Sequence, residues 1–158
     1  MVLIERGSEV GGGDVRTDVG TVARIVEAAR FDDGRWAIGA VGVRRVRIDA
    51  WLDDDPYPRA EVVDWPDGPG SPGSDELAPV VATFRRALAL AAELGLPVPP
   101  ATLDLGPEPE VVLAQMAAAA PVGPSDRHAL LCAAGPPERL ALLAELLDDQ
   151  VELLGARV

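Results

Sequence analysis

Residues Gly20 to Asp67 read GTVARIVEAARFDDGRWAIGAVGVRRVRIDAWLDDDPYPRAEVVDWPD. Runs rich in β-branched residues alternate here with turn residues, which is the pattern of strands. Asp32-Asp33-Gly34 separates two such runs and predicts a hairpin over Gly20 to Val41, because Asp-Gly supplies the positive φ that a tight hairpin turn requires. Strands are expected at Gly20–Phe31, Arg35–Val41, Val43–Leu52 and Arg59–Trp65. In the third of these runs Val46, Ile48, Ala50 and Leu52 share one face by strict alternation, and Arg45, Arg47, Asp49 and Trp51 share the other. Pro56 and Pro58 interrupt the ladder around Tyr57, since proline has no N–H to donate.

Outward from this stretch, Met1 to Arg6 also reads as a strand, and Gly7 to Asp18 reads as a loop in which Gly11-Gly12-Gly13 is a permissive turn. Downstream the character changes at Pro66. Pro66 to Ser74, PDGPGSPGS, has no apolar periodicity and predicts a connector between two domains. The expected division is therefore a strand-rich domain over 1–65, a linker over 66–74 and a helical subdomain over 75–158. In the last, Asp75 is expected to cap a helix with Leu77, Val81, Phe84, Leu88 and Ala92 on one stripe, ending at Gly95. Further helices are expected from Glu108 to Ala120, from a Ser125 cap to about Ala133, and from Pro137 to Leu154, the last carrying Leu140, Leu143, Leu147, Val151 and Leu154 on a stripe.

Composition bounds the chemistry. The 158 residues are 48% hydrophobic, with 16 Gly, 15 Pro and a formal charge of -12. A chain of this length buries about 68–70% of its unfolded surface and folds without staples. Cys132, the single cysteine, has no internal disulfide partner and fits a cytoplasmic setting. Met1 to Arg6 is far shorter than a membrane span or a signal core, so neither membrane insertion nor secretion is indicated. Nucleic acid is an unfavourable partner for so acidic a chain.

All fourteen basic residues are Arg, and the sequence contains no Lys. Schiff-base lysines, serine–lysine dyads and the P-loop lysine are thereby excluded. Ser125-Asp126-Arg127-His128 has the letters of a hydrolase triad, yet within one helical turn the side chains splay around the axis, and a helix start is the better reading. One Cys and one His cannot make a structural zinc site. Asp53-Asp54-Asp55 and Asp148-Asp149 lack the spacing of a calcium loop and read as solvated charge. No catalytic residue, metal or other cofactor is expected. Arg44, Arg45 and Arg47 form the only basic cluster, which Trp36 and Trp51 would join if neighbouring strands met. The plainer reading is solvated arginines and tryptophans covered by their own chain.

The stretch from Gly20 to Asp67 resembles the substrate-binding domain at the N-terminus of Lon proteases. The resemblance rests on Gly20-Thr21-x-Ala23-x-Ile25, on Gly42, Arg45, Arg47 and Ile48, and on Pro56-Tyr57-x-x-Ala60-x-Val62, in that order. The helical tail, with its Glu138-Arg139-Leu140, is similar as well. Such domains fold as a PUA-like β pseudo-barrel followed by a helical bundle, so the resemblance implies an α+β fold. It also implies non-enzymatic recognition of unfolded or extended polypeptide, with Trp51 and Tyr57 as the candidate anchors. The family's opening Leu-Pro-Leu-Phe-Pro strand and the helix after it have no counterpart before Met1. The resemblance therefore implies a barrel short of a strand, with an open edge that invites self-association. A rival reading is a regulatory or remnant interaction protein acting through its helices, by self-association or by joining a protease complex.

Overall fold

The structure is a computed structural model and describes residues 1–7, 13–53 and 55–158. The chain forms two compact units, Met1–Pro66 and Asp67–Val158. The first holds β1 (Val2–Arg6), β2 (Val15–Arg30), β3 (Trp36–Leu52) and β4 (Arg59–Asp64). The second holds α1 (Ser74–Glu93), α2 (Pro109–Ala119), α3 (Pro124–Cys132) and α4 (Pro136–Gly155). Strands followed by helices make the fold α+β.

The strand unit is one antiparallel sheet in the order β1-β2-β3-β4. Sequential strands pair with their neighbours and no pairing joins β1 to β4, so among the described residues the sheet is open and does not close into the expected pseudo-barrel. The β2–β3 turn forms as the sequence predicts. Gly34 takes φ +88°, its N–H donates to the Phe31 carbonyl at 3.0 Å, and the Asp33 carboxylate accepts the Arg35 N–H at 3.0 Å.

Two boundaries in this unit differ from the sequence reading. The Gly11-Gly12-Gly13 turn lies largely outside the described residues, but Val15 to Asp18, expected as loop, are strand. Ile4 pairs with Arg16 and Arg6 with Val15, and the Thr17 hydroxyl bonds the Leu3 and Val19 carbonyls. Partners from β1 thus override a weak local preference. The expected break at Gly42 is also absent: Trp36 to Leu52 is continuous, with Gly42 opposite Ala23 and a register shift beside it that leaves Val43 as the extra residue. A Cβ at Gly42 would stand 3.1 Å from Thr21 Cγ2, so this glycine accommodates a bulge and does not end a strand.

Gly20 answers a close approach. A Cβ there would collide with the Met1 carbonyl oxygen and stand 2.7 Å from Val2 Cγ1, while the Thr21 N–H donates to that same Met1 carbonyl at 2.8 Å. The glycine lets β1 lie against β2 at this point.

The helical unit holds most of the apolar core. Leu77, Val80, Phe84, Ala87 and Leu88 of α1 pack with Leu113 and Met116 of α2, Leu130 of α3, and Leu140, Leu143 and Leu147 of α4. The stripe on α1 is rotated from the expected one: Val80 and Ala91 are buried, Val81 is half-buried and Ala92 is exposed. The α4 stripe is as expected and is buried within its own unit. The caps move as well. Gly73, not Asp75, is the N-cap of α1, and the Glu76 carboxylate accepts its N–H at 2.8 Å. Gly123, not Ser125, is the N-cap of α3, with Pro124 at the first helical position. Arginines satisfy loop carbonyls: Arg85 donates to Ala101 O at 2.6 Å and Arg127 to Ala120 O at 3.2 Å.

The segment expected as a linker is tied to the helical unit from Asp67 onward. Arg139 grips both Asp67 oxygens, at 2.8 and 2.7 Å, and the Gly68 N–H donates to Ala134 O at 2.9 Å.

Candidate functional site

Directly paired residues on neighbouring strands share a sheet face, so the register assigns the side chains. Val19 pairs with Arg47 and Thr21 with Arg45, and Arg47 pairs with Val63. One face of the sheet therefore carries Val19, Thr21, Arg45, Arg47 and Val63. Gly20, Val46, Ile48 and Val62 belong to the other, by the pairs Gly20↔Val46 and Ile48↔Val62.

On the first face Trp65, just past β4, stands between two arginines. Its ring centroid lies 4.0 Å from the Arg45 guanidinium carbon and 4.3 Å from that of Arg47. Arg45 is buried at 9% exposure, and donates through Nε to Trp65 O at 3.0 Å and through a terminal nitrogen to Pro66 O at 3.2 Å. The Trp65 N–H in turn donates to Arg45 O at 3.1 Å. A buried guanidinium needs such acceptors, and the indole face adds a cation–π contribution.

The expected basic cluster is therefore divided. Arg44 lies on the opposite face from Arg45 and Arg47, and its Nε meets the Asp64 carboxylate at 2.7 Å. Trp36 pairs with Arg30 near the hairpin turn, away from the three arginines. Trp65, which the sequence reading did not single out, takes its place. The prolines flanking Tyr57 mark the break between the two strands, but Trp65 comes level with Arg45 only through the register of β4 on β3, which includes the shift between Ile48 and Ala50.

Trp51 also changes sides. The register slips between Ile48 and Ala50, so that Ile48 opposes Val62 while Ala50 opposes Glu61 and Trp51 opposes Ala60. Asp49 is the extra residue of a bulge, and the bulge moves Trp51 off the Arg45–Arg47 face and onto that of Val46 and Ile48. There Arg16 lies over its ring at 5.0 Å, and the indole is 39% exposed. Tyr57 lies in the β3–β4 connection at 64% exposure.

The β2–β3 hairpin beyond Ala23 exposes several large apolar side chains. From Arg24 to Val43 every residue except Gly39 is exposed. The pairs Ile25↔Ala40, Ala28↔Ile38 and Arg30↔Trp36 continue one face, on which Ile25 is 62%, Ile38 59% and Trp36 58% exposed. Two strands alone are marginal in water, so among the described residues these side chains stand exposed without a third strand beside them.

The positions that resemble the Lon family lie on three strands of this sheet: Gly20, Thr21, Ala23 and Ile25 on β2, Gly42, Arg45, Arg47 and Ile48 on β3, Ala60 and Val62 on β4. The family described as the ATP-dependent protease La (Lon) substrate-binding domain matches residues 1–149. The chain belongs to that family. Among solved structures it is similar to the N-terminal domain of a Mycobacterium avium complex Lon protease, at 20% identity and a TM-score of 0.54, over 94% of this chain and 76% of that one. No curated protein matches the chain.

Two of the Lon-family positions acquire physical reasons from the geometry. Gly20 admits the β1 backbone, and Arg45 closes the C-terminal end of β4 by holding the Trp65 and Pro66 carbonyls. These positions maintain the sheet of the substrate-binding domain, whereas the hairpin supplies exposed surface. In the helical unit, His128 stands 3.6 Å from Cys132 Sγ one turn along α3. Among the described residues no three His, Cys, Asp or Glu side chains gather where they could hold a metal ion, and no helix is long and apolar enough to cross a membrane.

Proposed function

We propose that this chain recognises unfolded or extended polypeptide without cutting it, using the strand unit to present or sequester client segments. The observation that carries the reading is the exposed face of Ile25, Ile38 and Trp36 on the β2–β3 hairpin. Covering that face with apolar client side chains would contribute roughly 1–2 kcal/mol per residue, about half of full burial. An extended segment can also add to the open sheet, where main-chain hydrogen bonds give affinity and alternate side chains give selectivity. Membership of the Lon substrate-binding family supports the reading.

Trp51 and Tyr57 serve as further anchors in this proposal, both being aromatic and accessible. The same open edges support association of the protein with itself, in competition with clients. The decisive measurement is binding to an array of peptides drawn from unfolded proteins. Capture of apolar, extended sequences is expected, and failure to bind any of them overturns the function. Retention of full binding after substitution of both Trp51 and Tyr57 removes those two residues from the site.

A further inference from the structure

We infer that the open edge of β4 takes an extended peptide segment bearing an acidic side chain, and that Arg47, stacked on Trp65, is the residue that reads the carboxylate. This rests on the polypeptide-recognition reading and adds the chemical class of segment and the register in which it docks.

β4 is the last strand of the sheet, so among the described residues one side of it is unpaired. The Trp65 N–H points at Arg45 O on β3. In an antiparallel ladder, alternate residues direct N–H and C=O to opposite sides. Asp64, Val62 and Ala60 therefore turn their main-chain groups outward, available to an incoming strand.

Arg47 is placed to inspect that strand. Its neighbour on the β2 side is the buried Val19, and on the β4 side Val63, which is 51% exposed. Stacking on Trp65 carries the guanidinium from β3 to a side chain just past the end of β4, the edge strand. An added strand would lie two strand spacings from β3, about 9–10 Å, a gap that an arginine and a glutamate span together. Among the described residues the Arg47 side chain donates no hydrogen bond and meets no carboxylate, its partner being the indole face. Arg45 on the same ring adds positive charge nearby. Glu61, on the Val63 face two residues along, forms no ion pair with Arg47, and it disfavours a second acid at that end of the segment. The stacked arginine is thus a pre-oriented cation with its fork of donors unengaged, which suits a planar carboxylate.

The test uses labelled, end-blocked Thr/Val-rich peptides identical except for one central Glu, Gln or Lys, titrated into the full chain by fluorescence anisotropy. Blocking both ends excludes a terminal carboxylate as the source of any preference. The Glu peptide is expected to bind about two- to fivefold tighter than the Gln peptide, the range of a partly exposed ion pair, and the Lys peptide weakest. Raising the salt should shrink the preference, and Arg47→Gln should erase it. Val62→Pro removes one outward N–H and should weaken all three peptides together. Should that variant fail to fold, peptides N-methylated at alternate positions make the same test from the other side.

Equal affinity for Glu and Gln peptides, or a preference that survives Arg47→Gln, overturns the carboxylate inference while leaving polypeptide recognition standing. Failure of every peptide to bind overturns both. Peptide affinity that falls as protein concentration rises, with a dimer in sedimentation, assigns the edge to a second copy of the chain and likewise overturns the inference.

Discussion

Arg139 and Asp67, seventy-two positions apart, form a two-pronged ion pair, with guanidinium nitrogens 2.8 and 2.7 Å from the two carboxylate oxygens. The Arg139 Nε completes the set by donating to Leu130 O at 3.0 Å. One side chain at the start of α4 thereby holds the end of α3 and the first residue of the helical unit. The composition of Pro66 to Ser74 is that of a linker, yet Arg139 ties its second residue to the helical unit.

Arg139→Ala is accordingly expected to destabilise the helical unit by about 2 kcal/mol, because it removes a charge-assisted pair and strands a carbonyl. Asp67→Asn keeps the shape, loses the charge, and should cost about 1 kcal/mol or less. Urea unfolding followed by helical circular dichroism measures both. Equal stability in all three proteins would show that the pair does not hold the segment.

Gly20→Ala tests the close approach of β1. The added methyl would overlap the Met1 carbonyl oxygen, and relieving it should cost about 1–3 kcal/mol. All three tryptophans, Trp36, Trp51 and Trp65, lie in the strand unit. Their fluorescence therefore reports this unit, while helical circular dichroism reports the other. The expected outcome is an earlier fluorescence transition than in the parent chain.

The helical core gives the opposite pattern. Phe84 is 1% exposed among Leu113, Met116 and Leu143, and Phe84→Ala should cost about 3–5 kcal/mol through lost burial and the cavity left behind. Here the dichroism transition should move to lower urea.

How legible each feature was in the sequence depends on how far it relies on pairing. The Asp33-Gly34 turn is settled by the chemistry of adjacent residues, and its hairpin was legible. The helices were legible to within one or two residues, but two caps were assigned to Asp75 and Ser125 where Gly73 and Gly123 serve. Pro124 at the first helical position was the available signal for the second. The faces of β3 were legible only as far as Ile48, because the bulge at Asp49 inverts the alternation from Ala50 onward, and a bulge arises from two strands together. For the same reason the stack of Arg45 and Arg47 on Trp65 was hidden, since it needs the register of β4. The pseudo-barrel came from the family resemblance alone, and the four strands form an open sheet.

The proposed function makes its sharpest demand on the hairpin. Ile25 and Ile38 are about three-fifths exposed, so replacing both with Ser removes little that folding has buried, and the change in stability should stay within about 0.5 kcal/mol per site. If clients are held on this face, the same double variant should lose roughly tenfold or more in affinity for apolar unfolded peptides, since two half-buried anchors vanish from the complex together. Anisotropy titration of an apolar peptide, with tryptophan fluorescence confirming the fold, measures both quantities on one sample. Unchanged affinity in the folded double variant would move the binding surface away from the hairpin, leaving the β4 edge as the place where clients are met.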